Sequence, residues 1–284
     1  MKKLYLLFIG LSLLLVGCSD ANVSLTDPNT ELFKVGKDSI TKDDLYDMLI
    51  ERDAGYSAIS ISTNYILDQE VEITDEIKKA ADDNLSLYET IYQDKLLEAV
   101  QANGFLTIDD FYENNLLTSE RLNHLTKKYI DANFDVLKGK YQPKKIQLLT
   151  FDNEESATNA KTELEKGVDI ATIVEDLKSS SNGKDTVVTN DNTTLNAAVV
   201  SYVNDTNSTG ISEVISDSEG SSFFVINITE TNADNMKEEV IDTLSSNTTI
   251  STESELYFFT KYGLNVYDRT LHDLLTTNYP QYLK

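Results

Sequence analysis

The sequence predicts an α+β protein with helical segments at both ends and a compact mixed block between them. Three observations carry this. Residues 41 to 140 place apolar side chains at helical spacing, interrupted only by short turn signals. At Tyr141-Gln142-Pro143 the pattern changes to short apolar strands and brief helices. From Ala233 the helical pattern resumes through Met236, Val240 and Leu244.

The chain opens with Lys2 and Lys3, followed by an apolar run from Leu4 to Val16 broken only by Gly10 and Ser12. Thirteen residues at about 1.5 Å each fall short of the roughly 30 Å of a hydrocarbon core. A charged start, a short apolar middle and small residues before the break describe a removable export signal. Next comes Cys18, the only cysteine in the chain. Leu15-Val16-Gly17-Cys18 resembles the bacterial lipobox, in which the cysteine sulfur takes a diacylglyceryl group and becomes the new N-terminus. Residues 1–17 are therefore expected to be a lipoprotein signal peptide, with Cys18 the lipid attachment site. Residues 18–31, polar and without apolar periodicity, are expected to be a flexible tether. The expected location is the extracytoplasmic face of the cell membrane, with the acyl chains supplying the anchorage. No other apolar run approaches spanning length.

Leu32 to Ile40 reads as a short strand and turn. Thr41 follows as a helix N-cap with Asp44 at the third helical position, a variant of the capping box. Leu45, Met48 and Leu49 lie at helical spacing behind it. Residues 57 to 70 satisfy both a strand and a helix pattern, and helix is favoured. Thr74 introduces a helix through Ile77 to Tyr88, and another runs through Tyr92, Leu96, Leu97 and Val100 to Asn103-Gly104. Thr107 starts a further helix, and Leu116, Leu117, Leu122, Leu125, Tyr129 and Ile130 continue the spacing towards Phe134 and Leu137.

In the middle block, Lys145 to Phe151 reads as a strand. Helices are expected over Glu154 to Lys166 and Ile170 to Leu177, with Gly167 between them. Residues 179 to 209 are rich in Ser, Asn, Thr and Asp, interrupted by Val187-Val188 and Ala197 to Val203. Ile211 to Ile215 and Phe223 to Ile228 are strand material. The block therefore reads β-α-α-β-β. The tail closes on an amphipathic helix at Leu271, Leu274 and Leu275.

Composition narrows the function. The formal net charge is −24. Removal of residues 1–17 leaves 22 basic against 48 acidic residues. Such a chain lacks the clustered Lys and Arg that replace counterions on nucleic acid, so no nucleic-acid partner is expected. With one cysteine, no disulfide within the chain can support the fold, which must rest on apolar burial. No cofactor is expected, because there is no glycine-rich phosphate loop and no nucleophile elbow. No metal is expected either: His124 and His272 lie in different segments with no ligand spacing. The acidic pairs Asp43-Asp44, Asp82-Asp83 and Asp109-Asp110 are adjacent on helices and so do not share a face.

The order of parts resembles the PrsA-type foldase lipoproteins, relatives of the chaperone SurA that carry a parvulin-like isomerase domain in the middle. The phrases carrying the resemblance are Val35-Gly36-Lys37-Asp38-Ser39-Ile40-Thr41-Lys42-Asp43-Asp44, Val71-Glu72-Ile73-Thr74-Asp75-Glu76-Ile77, Gly104-Phe105-Leu106-Thr107-Ile108-Asp109-Asp110-Phe111 and Tyr262-Gly263-Leu264-Asn265-Val266-Tyr267-Asp268. Within the block, Leu164 to Ala171 resembles a parvulin helix junction. The resemblance implies that segments 32–140 and 233–284 form one helical chaperone lobe, with a parvulin-like domain at 142–231 inserted between them.

The resemblance breaks at the chemistry. Parvulins carry one histidine on the first strand and one on the last. Here the first position falls at Gln147 or Leu148 and the second at Phe224, while Asp185 remains from the loop motif. Isomerising an Xaa-Pro bond means lowering a barrier of about 18–20 kcal/mol by stabilising a twisted amide. Phenylalanine cannot donate to one, so no catalytic residue is assigned and a degenerate domain is expected. The expected function is folding of exported proteins by holding them, with unfolded exported proteins as partners and a homodimer left open. Tyr88, Tyr92, Phe111, Tyr112, Phe258 and Phe259 are the candidate client-binding residues. An active isomerase with a different polar set, or a ligand-binding or surface-interaction lipoprotein, are the alternatives.

Overall fold

The computed structural model describes residues 25–283, so the predicted signal peptide, Cys18 and the first part of the predicted tether lie outside the described residues. In chain order the structure runs β1 (Glu31–Val35), β2 (Asp38–Thr41), α1 (Lys42–Glu70), α2 (Asp75–Tyr92), α3 (Leu96–Ala102) and α4 (Ile108–Phe111). After a π-helical turn at Tyr112–Leu116 come α5 (Leu117–Ala132) and α6 (Phe134–Tyr141). The mixed block follows as β3 (Lys144–Phe151), α7 (Glu154–Glu165), α8 (Ile170–Leu177), β4 (Thr186–Val188), α9 (Ala197–Asp205), β5 (Gly210–Ile211), β6 (Ile215–Ser216) and β7 (Phe223–Glu230). A 3₁₀ turn at Ala233–Met236 leads to α10 (Lys237–Ser245), α11 (Thr248–Tyr262) and α12 (Arg269–Asn278). This is the α+β architecture expected, in two compact units: residues 25–74 with 255–283, and residues 75–254.

The first unit joins the two ends of the chain. Its hairpin β1–β2 turns at Gly36, whose φ of +66° suits glycine. Residues 26–31, assigned to the tether by sequence, are hydrogen-bonded to the start of α1. Pro28 O accepts from Asp43 N and Thr30 O from Lys42 N, both at 3.0 Å. The capping box forms as the sequence indicates: Thr41 Oγ1 accepts from Asp44 N at 3.2 Å, and Asp44 Oδ2 accepts from Thr41 N at 2.8 Å. Residues 57–70 are helical and continuous with the helix begun at Lys42. Helix α12 packs on α1 and buries Leu275 completely. Its N-cap Asp268 accepts from Leu271 N at 2.8 Å and from the Tyr46 hydroxyl of α1 at 3.5 Å. The approach is close, since a Cβ at Gly55 would lie 3.0 Å from the Tyr279 ring.

The second unit contains the sheet, in order β4-β3-β7-β5 with β6 also pairing β7. All pairings are antiparallel. β3 and β7 are central, with Leu148 opposite Ile226 and Thr150 opposite Phe224. Side chains alternate across the pleat, and both faces are covered. Leu149, Phe151 and Val225 pack against Ala157 and Ala160 of α7 and Ile173 of α8. On the other face Ile146, Phe224, Ile226 and Ile228 pack against Val199 and Val203 of α9.

Helix α9 is an addition to the elements read from sequence. Its valines favour strand by propensity, but Asn196 caps the segment, accepting from Ala198 N at 2.9 Å. The i, i+4 pair Val199 and Val203 is then fully buried. At the other end, buried Lys144 donates to the carbonyls of Val203 at 2.6 Å and Asn204 at 3.2 Å, a cation on the carbonyl end of the helix. Burial holds its ammonium below the usual lysine range.

A third core lies among the helices of this unit. Ile130, Phe134, Leu137 and Tyr141 pack with Ala233, Met236, Val240, Leu244 and Ile250, and Val187 of β4 joins them. Surface ion pairs such as Lys127–Asp242 at 2.7 Å and Lys138–Asp234 at 2.8 Å flank it. Such exposed pairs contribute little, about 0–1 kcal/mol each.

Two glycines separate by sign. Gly183 has φ +64°, and a Cβ there would sit 2.9 Å from Ile170 Cγ1. Gly139 lies within α6 and has open space around the corresponding position. Gly183→Ala is expected to destabilise the protein by more than about 1 kcal/mol, and Gly139→Ala to stabilise it by about 0.5–1 kcal/mol. Urea unfolding followed by circular dichroism checks both.

Candidate functional site

Two regions bear on function, and the residues singled out by sequence fall only partly within them. The first is the central strand pair of the sheet. Leu148 and Phe224 lie on the same face, because Thr150 pairs with Phe224 and Leu148 with Ile226. That face is apolar: Phe224 is buried within the cluster of Ile146, Ile226, Ile228, Val199 and Val203, and Leu148 packs against it. Gln147 points to the opposite face, where it pairs with Asn227 and accepts a hydrogen bond from the Asn227 amide at 2.9 Å. Asp185 is exposed just before β4 and accepts from the Thr229 hydroxyl at 3.3 Å. The positions matched to the two parvulin histidines therefore give a buried apolar face and, for Gln147, an amide already engaged by its neighbour. No acid–base pair arises from them.

The second region is an apolar groove in the first unit, with a volume of about 370 Å³. Ile61, Ser62, Tyr65 and Ile66 of α1 line it from one side, and Phe259, Tyr262, Gly263 and Leu264 from the other. Helical spacing puts Ile61 and Tyr65 one turn apart on one face. Ile66 and Phe259 are buried and form the floor, whereas Ile61 is 70% and Tyr65 58% exposed. The lining carries no charged side chain. The Tyr65 and Tyr262 rings meet edge to face, centroids 6.2 Å apart.

Glu70 fixes the neighbouring wall. Its side chain is almost fully buried, ion-paired with Lys261, and accepts from the Tyr262 hydroxyl at 2.8 Å. These contacts push both the Lys261 ammonium and the Tyr262 phenol above their usual ranges. A second carboxylate, Glu255, accepts from Thr63 of α1 at 3.2 Å and from Tyr282 at 2.9 Å. The Tyr282 ring packs edge to face on Phe259, centroids 4.7 Å apart. The groove is thus held by polar bridges behind an uncharged surface.

The six aromatic candidates divide between the units. Phe258 and Phe259 belong to the first, and only Phe259 lines the groove; Phe258 is buried core. Tyr88, Tyr92, Phe111 and Tyr112 belong to the second. There Tyr88 stacks on Tyr92 with centroids 6.0 Å apart and meets Phe111 edge-on at 5.1 Å. Phe111 is buried, and burial together with Asp82 pushes the Tyr112 phenol up. Sequence reasoning missed Ile61, Tyr65, Tyr262 and Leu264. The alternation of Ile59 and Ile61, which also fits a strand, hid the helical spacing of Ile61 and Tyr65. His124 is half-buried and His272 exposed, 3.7 Å from Asp273. Among the described residues no group of three or more His, Cys, Asp or Glu is placed to hold a metal ion.

The architecture can be compared with solved structures. The crystal structure of foldase protein PrsA from Streptococcus pneumoniae matches with a TM-score of 0.52 at 19% identity, covering 89% of this chain and 100% of that one. The chain has a PrsA-like fold. Further likenesses are to PrsA, a peptidylprolyl isomerase, from Bacillus cereus (TM-score 0.46, 15% identity, 88% of this chain and 99% of that one) and to PrsA from Bacillus subtilis (0.44, 17%, 88% and 98%). No family model and no curated protein matches the sequence.

Tyr282 gives the groove a pH signature. Burial, followed by the Glu255 carboxylate, pushes its phenol far above the ordinary value. The folded state therefore favours the protonated phenol. Its contribution to stability is whole below about pH 10, the unfolded value, and is lost as pH rises beyond that towards the folded value. Tyr282→Phe is expected to cost about 1 kcal/mol at neutral pH and to flatten the alkaline fall in stability. Thermal melts of both proteins between neutral pH and pH 11 check this.

Proposed function

We propose that this protein is a lipid-anchored, extracytoplasmic folding factor that holds unfolded exported proteins and has lost efficient prolyl isomerisation. The observation that carries the reading is the uncharged apolar groove of the first unit, with Ile61 and Tyr65 exposed at its rim. Exposed apolar clusters on a soluble surface mark sites of interaction. An extended chain leaving an export channel offers the apolar side chains that such a groove would take up. The net charge of −24 supports a carrier that stays soluble while loaded, through self-repulsion between copies. A lipid on Cys18 would hold the body at the outer membrane face, where exported clients emerge.

Loss of isomerase chemistry is supported by the sheet. A twisted amide needs donors aimed at its developing charge, and the face of Leu148 and Phe224 supplies side chains without them. A second reading, an isomerase with a non-standard site, has one observation in its favour: the half-buried Gln147–Asn227 amide pair on the central strands. Prolyl turnover on a proline peptide separates the two, with the uncatalysed rate expected for this chain. Turnover above background that falls in Gln147→Ala would establish the second reading.

The holding function predicts that the purified chain slows light scattering by an aggregating unfolded client. Ile61→Asp combined with Tyr65→Ala is expected to weaken binding of a labelled apolar peptide by about tenfold or more, the scale of losing an aromatic anchor. Fluorescence anisotropy reads the affinity. A chain that neither binds the peptide nor slows aggregation would leave the ligand-binding or surface-interaction reading.

A further inference from the structure

Four aromatic side chains of the second unit form a row that the groove does not use. Tyr92 stacks on Tyr88, Tyr88 meets Phe111 edge-on, and Phe111 meets Phe105 edge-on with centroids 5.3 Å apart. Phe111 is buried and anchors the row, Tyr88 and Phe105 are half-buried, and Tyr92 is 41% exposed. The reason lies in α2. Its first half buries Ile77 and Ala81, but its last turns leave Leu87 55% and Ile91 62% exposed. Helical spacing puts Tyr88, Ile91 and Tyr92 on one side of that helix. Leu106, next to Phe105 in the chain, is 79% exposed. Aromatic and aliphatic surface left together in water marks a place of interaction.

The charge around the row has one sign. From Tyr88 to Glu113 the chain carries Glu89, Asp94, Glu98, Asp109, Asp110 and Glu113 against Lys95 alone. Two of these carboxylates stand beside the row. Asp110 Oδ2 accepts from Leu106 N at 2.7 Å, which sets its charge at the most exposed apolar residue. Its other oxygen accepts from the Asn114 amide at 2.7 Å, so both donors are neutral. Glu89 is exposed, follows Tyr88 directly and lies one turn before Tyr92. Lys78 and Lys79 lie further back along α2, where Lys79 pairs with Asp83.

The rings of the row also lack a cation. Lysine ammoniums stand over Phe134, Tyr141, Phe258 and Tyr262, all within 5.6 Å of the ring centre. Among the described residues none stands over Tyr88, Tyr92, Phe105 or Phe111. A ring face attracts a cation within about 6 Å, more strongly where water is excluded. Ring faces, aliphatic surface and carboxylates without a cation therefore meet in one place.

We propose that this row, with Leu106 and the carboxylates of Glu89 and Asp110, binds a basic apolar segment of another protein. Aliphatic side chains of the segment pack on Ile91 and Leu106, and its Arg or Lys side chains enter between the rings and the two carboxylates. The site lies wholly in the second unit and depends neither on the groove nor on a lipid at Cys18. An apolar segment without cations gains only the aliphatic contact here. The row thus selects by charge where the groove selects by apolarity.

The chain has no tryptophan, so a tryptophan in a peptide reports binding directly. The probe is a short peptide of alternating Arg and Leu with one Trp, titrated with the chain from Ser19, which keeps every described residue. It is expected to bind about tenfold or more tightly than its counterpart with Glu in place of Arg. Glu89→Gln with Asp110→Asn is expected to weaken binding about fivefold, and Tyr92→Ala with Leu106→Ser by about as much. Ile61→Asp with Tyr65→Ala, in the groove, is expected to leave this affinity unchanged. Glu89→Gln alone keeps the charge test available should Asp110→Asn disturb the turn at Leu106. Equal affinity for the two peptides would overturn the proposal. Binding that none of the row substitutions weakens would do the same, and would assign the attraction to the net charge of −24. A loss confined to the groove variant would move the peptide to the groove and leave the row without a role.

Discussion

The second unit depends on the antiparallel ladder between β3 and β7. These strands lie some eighty residues apart in sequence, yet Lys145 stands opposite Glu230 and Phe151 opposite Phe223. Closing that loop has an entropic cost that only burial on both faces can offset. The apolar sets around Leu149 and Val225 on one side and around Ile226 and Phe224 on the other provide it. The ladder also returns the chain to its point of departure. Tyr141 ends α6 just before β3, and Ala233 follows β7 directly, so both belong to one core. Helix α10 can pack on α5 and α6 because the sheet delivers it there.

The same logic of distant stretches meeting governs the first unit, where no disulfide assists. Tyr46 reaching Asp268, Thr63 and Tyr282 sharing Glu255, and Gly55 admitting Tyr279 fasten α1 to the C-terminal helices. Each polar bridge is modest alone. Together they place Ile61 and Tyr65 across from Phe259 and Tyr262, and so make a groove from two segments that share no local sequence signal.

This difference explains what could be read in advance. Features encoded within four residues were legible: the Thr41–Asp44 capping box, the helix start at Thr107 with its bond from Asp110 N, and the glycine after α3. The strands β3 and β7 were legible as apolar runs. Helix α9 was not, because Ala197 to Val203 has strand-like composition and becomes helical through Asn196, Lys144 and the sheet beneath it. The groove was not legible because exposure is a tertiary property. Phe258 and Phe259 look alike in sequence, but the helix turns one into core and the other into the floor of a cavity. For Gln147 and Phe224, spacing along the chain said nothing of the pleat, which places them on opposite faces of one sheet.

Val187 carries a consequence of its own. This residue of β4 belongs to the sheet by hydrogen bonding and to the helical core by burial, packed with Tyr141, Val240 and Leu244. The sheet is therefore a wall of the helical bundle within the second unit. Its backbone cannot be cut away without opening the bundle to water. A block in that position is held by packing whatever its side chains do, as a bearing wall stands whatever room it encloses.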